Sequence, residues 1–291
     1  MNPLTGSSLL ATTPSAARQR AFLTLLADDD PAISNAIEAQ LILSGEATLS
    51  WLREYRLDAD PTLRKAVRAF LLKQSRVKAD LTFLNFCKSH AEYFDLEEAV
   101  WLFVLTHNPE ACIAAYQAQL DDWAEEARRG VEESTSGSGV VAAINQVLFV
   151  NQGFRGNGED YYNELNSYLD SVIDLRRGLP ISLSCVYLFV GRRLGLPLVG
   201  IGMPGHFLCR YQTAQEELLI DPFHGGRIVS RGEALLRLIQ FSLNDLDVHL
   251  QPITPKRCLQ RLIANLHLLY KKHGNIAEST RLQHYLLLLS R

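Results

Sequence analysis

Residues 178–220 decide the fold class of this chain, and they read GLPISLSCVYLFVGRRLGLPLVGIGMPGHFLCRYQTAQEELLI. The first part has helical periodicity, with Pro180 near the first helical position, and Gly195-Leu-Pro197 ends it. After Pro197 the apolar residues alternate or form short runs bounded by glycine, proline and polar turns, which is typical of strands at 198–203, 206–211 and 217–220. A helix followed by consecutive strands predicts an α+β fold with an antiparallel sheet.

Helical patterns flank this stretch on both sides. Asp30-Pro31 and Asp60-Pro61 each open a segment in which an acidic N-cap precedes a proline, and apolar residues then recur at helical spacing. This repeat is similar to stacked helical hairpins of the HEAT type. Residues 255–289 predict a two-helix hairpin of tetratricopeptide proportions. We therefore expect three regions: a helical repeat-like region at 1–94, an α+β domain at 95–250 and a helical hairpin at 251–291.

The segment that precedes the deciding stretch is also helical in pattern, with one interruption. Residues 130–139 read GVEESTSGSG, are rich in glycine and serine, and show no periodicity. Such a composition is typical of an exposed loop, so we predict a loop here, which could also be a domain boundary.

The composition argues against several classes of partner. The 291 residues carry 29 basic and 32 acidic side chains, and a net charge of −3 provides no strong attraction to nucleic acid or an anionic membrane. The apolar run at 185–190 is far shorter than the roughly 18 residues that span a bilayer, and the N-terminal residues lack the pattern of a secretory signal. The 5 cysteines are scattered without a C-x-x-C pair. We expect a cytoplasmic protein with no cofactor and no metal site.

Residues around the helix start could together perform nucleophilic catalysis. A papain-like thiol hydrolase places its nucleophile in the first turn of a helix, where free amides lower a thiol pKa, and takes a histidine and an aspartate from neighbouring strands. The order here fits, because a helix start near Pro180 is followed by His206 and then by Asp221. Ser182 lies in the first turn and Cys185 about one turn deeper on the same face, so position favours Ser182 and chemistry favours Cys185.

The same residues also have a structural interpretation. Cys185 lies among apolar neighbours, where a free cysteine commonly serves as an inert core side chain. His206 and Asp221 could form a hydrogen bond that closes a hairpin. Neither interpretation is excluded by the residue pattern alone.

A glycine-rich segment at 153–158 precedes three further candidates. Asn157, Asn166 and Arg176 could line a polar cleft for a small ligand. Alternatively, the glycines permit a tight turn and the two asparagines bond the backbone around it.

Four ordered blocks are the most specific features between about residue 95 and residue 290. They are Gly153-Phe-Arg-Gly-Asn157, Arg176-Arg-Gly-Leu-Pro-Ile-Ser-Leu-Ser184, Pro204-Gly-His-Phe-Leu208 and Ile220-Asp-Pro-Phe223. Together they resemble the bacterial SirB-type proteins, which join a transglutaminase-like domain to a tetratricopeptide-like tail. The resemblance implies a papain-like core in which His206 and Asp221 match the histidine and aspartate of transglutaminases. Active members of that superfamily carry a cysteine at the helix start, where this chain has serine, so the resemblance implies a degenerate triad and an incidental Cys185.

Two functions follow from these observations. The first is a non-catalytic transglutaminase-like protein that acts as a protein-interaction or regulatory module with a protein or peptide partner, because helical hairpins on both flanks suit peptide recognition. The alternative is a thiol or serine hydrolase or acyltransferase. In that enzyme Cys185 or Ser182 attacks, His206 is the general base, Asp221 orients it, and helix amides stabilise the oxyanion.

Overall fold

The structure is a computed structural model that describes residues 15–290 except His90, Ser242 and Asn244. Most of the N-terminal stretch on which the expectation about a secretory signal rests lies outside the described residues. The chain divides into two compact units, Met1–Lys78 and Ala79–Arg291.

Within the described residues, twelve α-helices and six strands are present. The helices are α1 (Ala16–Leu26), α2 (Pro31–Leu43), α3 (Glu46–Glu54), α4 (Pro61–Ser89), α5 (Leu96–His107), α6 (Ile113–Glu132), α7 (Gly137–Asn145), α8 (Leu169–Leu175), α9 (Pro180–Arg193), α10 (Arg231–Ile239), α11 (Pro255–Lys272) and α12 (Ile276–Leu289). The strands are β1 (Arg155–Gly156), β2 (Arg177–Gly178), β3 (Leu198–Ile201), β4 (Leu208–Gln212), β5 (Glu217–Asp221) and β6 (Arg227–Val229). The predicted α+β class with an antiparallel sheet is confirmed.

The N-terminal unit consists of α1, α2, α3 and the first part of α4. Asp30 caps α2 by accepting a hydrogen bond of 2.8 Å from the Ala32 N–H, and Asp60 caps α4 by accepting one of 2.8 Å from the Thr62 N–H. Both helix starts predicted from the repeated Asp-Pro pair are therefore confirmed, while the assignment to the HEAT class stays a prediction. The unit has its own apolar core, formed by Leu23, Leu26, Leu41, Trp51, Leu52, Val67 and Phe70.

Helix α9 lies at the centre of the C-terminal unit. Val186 and Phe189 of α9 belong to the same buried cluster as Leu262 of α11 and Leu282 of α12. The C-terminal hairpin therefore contributes to the main core of this unit. The boundaries predicted at 94/95 and at 250/251 both fall inside the unit, and the three-region division stays a prediction.

The antiparallel sheet has the order β3-β4-β5-β6, so β3 and β6 are its edge strands. The strand predicted to begin at His206 begins instead at Leu208, because His206 belongs to a turn. Its N–H donates to the Met203 carbonyl at 3.2 Å, and Gly205 adopts a φ of 69° that favours glycine. One face of the sheet packs on α10 through a small cluster that contains Leu219 and Leu238.

The loop predicted at 130–139 is wrong for most of its length. Helix α6 continues to Glu132, and α7 begins at Gly137 with Ser136 as its N-cap, whose side chain accepts from the Gly139 N–H. The glycines serve close packing in this region, since the Gly137 N–H donates to Glu216 Oε2 at 2.6 Å and a side chain at Gly137 would collide with that carboxylate. High glycine content was therefore a misleading signal for a loop.

Candidate functional site

His206 lies in the turn that connects β3 with β4. Arg261 of α11 holds this turn, because its guanidinium donates to the Met203 carbonyl at 2.5 Å and to the His206 carbonyl at 2.9 Å. The imidazole is mostly buried, with 13% of its side chain exposed, and its edge meets the ring of Phe223 in a T-shaped contact. The backbone of His206 is thus fixed from two sides, and its ring is directed toward the end of β5.

Asp221 ends β5 and is fully buried, with three cationic or potentially cationic groups around its carboxylate. His206 Nε2 lies 2.9 Å from Oδ1, His224 Nδ1 lies 2.8 Å from Oδ2, and Arg237 Nη1 donates to Oδ2 at 3.1 Å. Burial by itself would raise the pKa of Asp221, but its contacts with the two imidazoles outweigh burial and hold the pKa well below its usual range. The structure therefore brings His206 and Asp221 together, in the order and at the distance that a catalytic dyad requires.

His224 is a site residue that the sequence reasoning missed. It lies three residues after Asp221 in a 3₁₀ turn, Pro222–His224, and this turn folds its ring back onto the carboxylate. Half of its side chain is exposed. The sequence feature that could have identified His224 is the spacing Asp221-Pro-Phe-His224. A turn that begins with proline at the end of a strand can place the histidine next to the aspartate.

Ser182 uses its hydroxyl to hold the start of α9. The hydroxyl donates to the Asn166 carbonyl at 2.6 Å and accepts from the Leu179 N–H at 2.9 Å. The side chain is buried, and this pair of bonds ties the helix start to the segment that precedes α8. Among the described residues, the hydroxyl of Ser182 makes no hydrogen bond to His206.

Cys185 lies in the interior of α9 with 1% of its surface exposed. A hydrogen bond with Cys258 and burial raise the pKa of the Cys185 thiol well above its usual value, and a third buried thiol, Cys209, adds to the shift. Burial likewise raises the pKa of Cys209. Cys185 therefore lies among buried neighbours that disfavour the thiolate, the form in which cysteine acts as a nucleophile.

Asn157 and Asn166 bond to each other and to the loop between them. Asn157 Nδ2 donates to Asn166 Oδ1 at 2.9 Å, and Asn166 Nδ2 donates to the Asp160 carbonyl at 2.7 Å. Both side chains are buried. The neighbouring Gly156 lies so close to Phe223 that a Cβ would come within 2.5 Å of the Phe223 carbonyl oxygen, so this loop packs directly behind the aromatic ring that contacts His206.

Arg176 has a left-handed backbone conformation, with a φ of 56°, at the end of α8. Its guanidinium lies 4.8 Å from the ring centre of Trp123 and 4.9 Å from that of Phe154, and it donates to the Ile173 carbonyl. Burial lowers the pKa of Arg176. These contacts give Arg176 a packing role between two aromatic rings.

An apolar groove of about 700 Å³ lies beside the edge strand β3, and it shares no lining residue with the His206 and Asp221 pair. Its walls come from the start of α5, the C-terminal half of α9, β3, and the segment that leads into α11. The apolar side chains in these walls include Phe94, Leu96, Leu188, Leu196, Leu198 and Ile253. We call this surface the β3 groove.

Comparisons with known proteins identify the family of the central part of the chain. The sequence model described as transglutaminase-like superfamily matches residues 114–264, slightly more than half of the chain. A UPF0162 protein of Xylella fastidiosa is 35% identical over 185 residues, which cover 62% of this chain and 66% of that relative. A UPF0162 protein of Vibrio cholerae is 29% identical over 149 residues, which cover 51% of this chain and 55% of that relative. The chain therefore spans just under two thirds of the Xylella protein and about half of the Vibrio protein.

A eukaryotic relative aligns with a shorter part of the chain. F-box only protein 21 of Mus musculus is 37% identical over 142 residues, which cover 47% of this chain and 23% of that protein. No solved structure matches the chain. None of the helices among the described residues has the length and apolar character needed to cross a membrane.

Proposed function

The chain belongs to the transglutaminase-like superfamily, and on this premise we propose that it is a cytoplasmic, non-catalytic protein-interaction module of the SirB type. The observation that carries the proposal is the state of the two candidate nucleophiles. Cys185 is buried against Cys258, and the Ser182 hydroxyl is bonded to the backbone of Asn166 and Leu179. A His206 and Asp221 dyad without an available nucleophile cannot perform acyl transfer by the papain-like route.

The β3 groove is the surface that we assign to partner binding. It is largely apolar, and a groove of this size and character accepts side chains of a protein segment. The relation to F-box only protein 21 over 142 residues supports the proposal of a role in protein association. We expect the partner to present mainly apolar side chains, because apolar residues form most of the groove walls, while Asp95, Glu97 and Arg192 are the charged residues of the lining.

Partner binding can be tested by selecting peptides that bind to the intact protein. We expect a displayed library of random peptides to yield apolar sequences that bind the protein, with affinities measured by fluorescence anisotropy. Leu96→Arg and Ile253→Arg, in two different segments that line the groove, should each weaken binding by about tenfold or more, because a charge is forced into an apolar contact.

Matched controls use the same substitutions at exposed positions outside the groove. Leu236→Arg and Ile276→Arg, at residues 69% and 77% exposed, should leave the affinity unchanged. The proposal fails if no peptide is selected, or if the groove variants keep their circular dichroism spectrum and bind as tightly as the controls.

The alternative function, a hydrolase or acyltransferase, is favoured by one observation, the 2.9 Å contact between His206 and Asp221. It requires that Cys185 or Ser182 leave its present partners during the reaction. An enzyme that used Cys185 would show a reactive thiol in the native protein, and one that used Ser182 would lose turnover in Ser182→Ala.

A further inference from the structure

We propose that His206, Asp221 and His224 form a binding site for a divalent transition-metal ion, with Zn²⁺ as the expected occupant. This inference goes beyond the proposed function and does not depend on it, because the three residues share no position with the β3 groove. It contradicts the sequence-based expectation that the chain has no metal site. That expectation rested on residue spacing and did not include His224.

The candidate ligand atoms of the three residues lie close together. His206 Nε2 and His224 Nδ1 each face a different oxygen of the Asp221 carboxylate, at 2.9 Å and 2.8 Å. One ligand atom from each of the three residues lies within 4.8 Å of the others. Neighbouring ligands in a tetrahedral shell with bonds of about 2.0 to 2.2 Å are separated by about 3.3 to 3.6 Å, so small movements of these three side chains would bring one atom of each into a common coordination shell.

Two buried atoms of the cluster lack a well-directed hydrogen bond. Asp221 Oδ1 and His206 Nε2 form an ion-pair contact of 2.9 Å but are not aligned for a hydrogen bond, and neither atom has another hydrogen-bond partner among the described residues. Buried polar atoms are almost always paired in folded proteins. A cation bound between the imidazoles and the carboxylate would give both atoms a partner.

The donor set favours a particular class of ion. Two imidazole nitrogens and a carboxylate suit Zn²⁺, Co²⁺ and related first-row ions better than Ca²⁺ or Mg²⁺, which prefer oxygen ligands. Half of the His224 side chain is exposed, so the cluster borders solvent on the side of this histidine.

Arg237 competes with a bound ion for the carboxylate of Asp221. Its guanidinium donates to Asp221 Oδ2 at 3.1 Å and therefore competes for one of the carboxylate oxygens. Because 32% of its side chain is exposed, Arg237 can withdraw toward solvent when an ion binds. We therefore infer that Arg237 limits the affinity of the site, and that its removal tightens binding.

The experiment uses the full chain, freed of metal with a chelator, and Co²⁺ as a spectroscopic probe. We expect one Co²⁺ per chain with a visible absorption band, displaced by Zn²⁺. His224→Gln should weaken Co²⁺ binding by about tenfold or more, as should His206→Gln. Arg237→Gln should strengthen it.

The matched control is His273→Gln, because His273 is exposed at the end of α11 and lies outside the cluster. It should bind Co²⁺ as the parent protein does. His224→Gln is the decisive variant, because a substitution at the half-exposed His224 is less disruptive to folding than one at the mostly buried His206. A circular dichroism spectrum verifies its fold.

Three results would overturn the metal site: no Co²⁺ binding by the parent protein, unchanged binding by a folded His224→Gln, or an equal loss in His273→Gln. None of them would affect peptide binding in the β3 groove, so this failure is distinguishable from a failure of the proposed function.

Discussion

At the scale of single residues, the environment of each reactive group decides what it can do. Asp221 is buried and surrounded by His206, His224 and Arg237, which keep its carboxylate ionised. Cys185 is buried beside another thiol, which has the opposite effect on its ionisation. The same fold thus retains the histidine and the aspartate of a triad, while the cysteine nearest the helix start, Cys185, is held as a neutral core side chain.

Thiol reactivity tests this difference directly. Of the 5 cysteines only Cys112 is exposed, and Cys87, Cys185, Cys209 and Cys258 are buried. We expect one thiol to react rapidly with an aromatic disulfide reagent in the native protein, and the buried thiols to react about 100-fold more slowly or only after unfolding. The measurement is the time course of labelling, with mass spectrometry to locate the modified residue.

Cys112→Ser supplies the control and should abolish the rapid phase. A second rapid thiol that maps to Cys185, and that slows in His206→Ala, would contradict the non-catalytic proposal and favour the hydrolase alternative.

At the scale of elements, the start of α9 is built for stability. Pro180 occupies the first helical turn, and Leu179 precedes it in an extended conformation. The Ser182 hydroxyl bonds the Leu179 N–H, one of the amide groups near the helix start. The turn that a catalytic nucleophile would occupy is therefore engaged in a capping contact that connects α9 with Asn166.

Two serines in this helix permit a matched comparison. Ser182→Ala removes a hydroxyl with a donor and an acceptor partner, and we expect the free energy of unfolding to fall by about 1–3 kcal/mol. Ser184→Ala should cost clearly less, because the equally buried Ser184 hydroxyl has no partner among the described residues. Urea denaturation of both variants checks this, and equal losses would show that the capping bonds do not stabilise the helix start.

At the scale of the whole molecule, the C-terminal hairpin belongs to the main core of the unit Ala79–Arg291. Helix α11 places Leu262 in the cluster that also contains Val186 of α9, and Arg281 of α12 binds Asp80 at 2.9 Å. Deleting the hairpin would therefore expose the core. A loss of partner binding after such a deletion would report unfolding rather than a contact made by the hairpin.

Two leucines of α11 measure how strongly the hairpin supports the unit. Leu262 is buried, and Leu262→Ala should lower the free energy of unfolding by about 2–5 kcal/mol. Leu268 on the same helix is 61% exposed, and Leu268→Ala should change it by less than about 0.5 kcal/mol. The near-ultraviolet circular dichroism signal during unfolding is the measurement, and a small effect of Leu262→Ala would indicate a hairpin that packs independently of the core.

Much of the secondary structure could be predicted from local patterns in the sequence. The change from helical to alternating periodicity near Pro197 marked the passage from α9 to the sheet, and the Asp-Pro pairs marked the starts of α2 and α4. These features are local, because periodicity and capping involve neighbours within one or two turns. The order of His206 and Asp221 was likewise sufficient to propose their contact.

The partner of each reactive group depends on contacts between residues that are far apart in the sequence. Ser182 bonds a carbonyl 16 residues earlier, Cys185 contacts a thiol of α11, and His224 joins the pair that the sequence had already suggested. A hydrophobic pattern indicates which face of an element is buried, but it does not predict which residues pack against that face. The pairing of distant side chains depends on how the helices and the sheet pack together. This packing determines whether Asp221 belongs to a complete triad or is shared by two histidines.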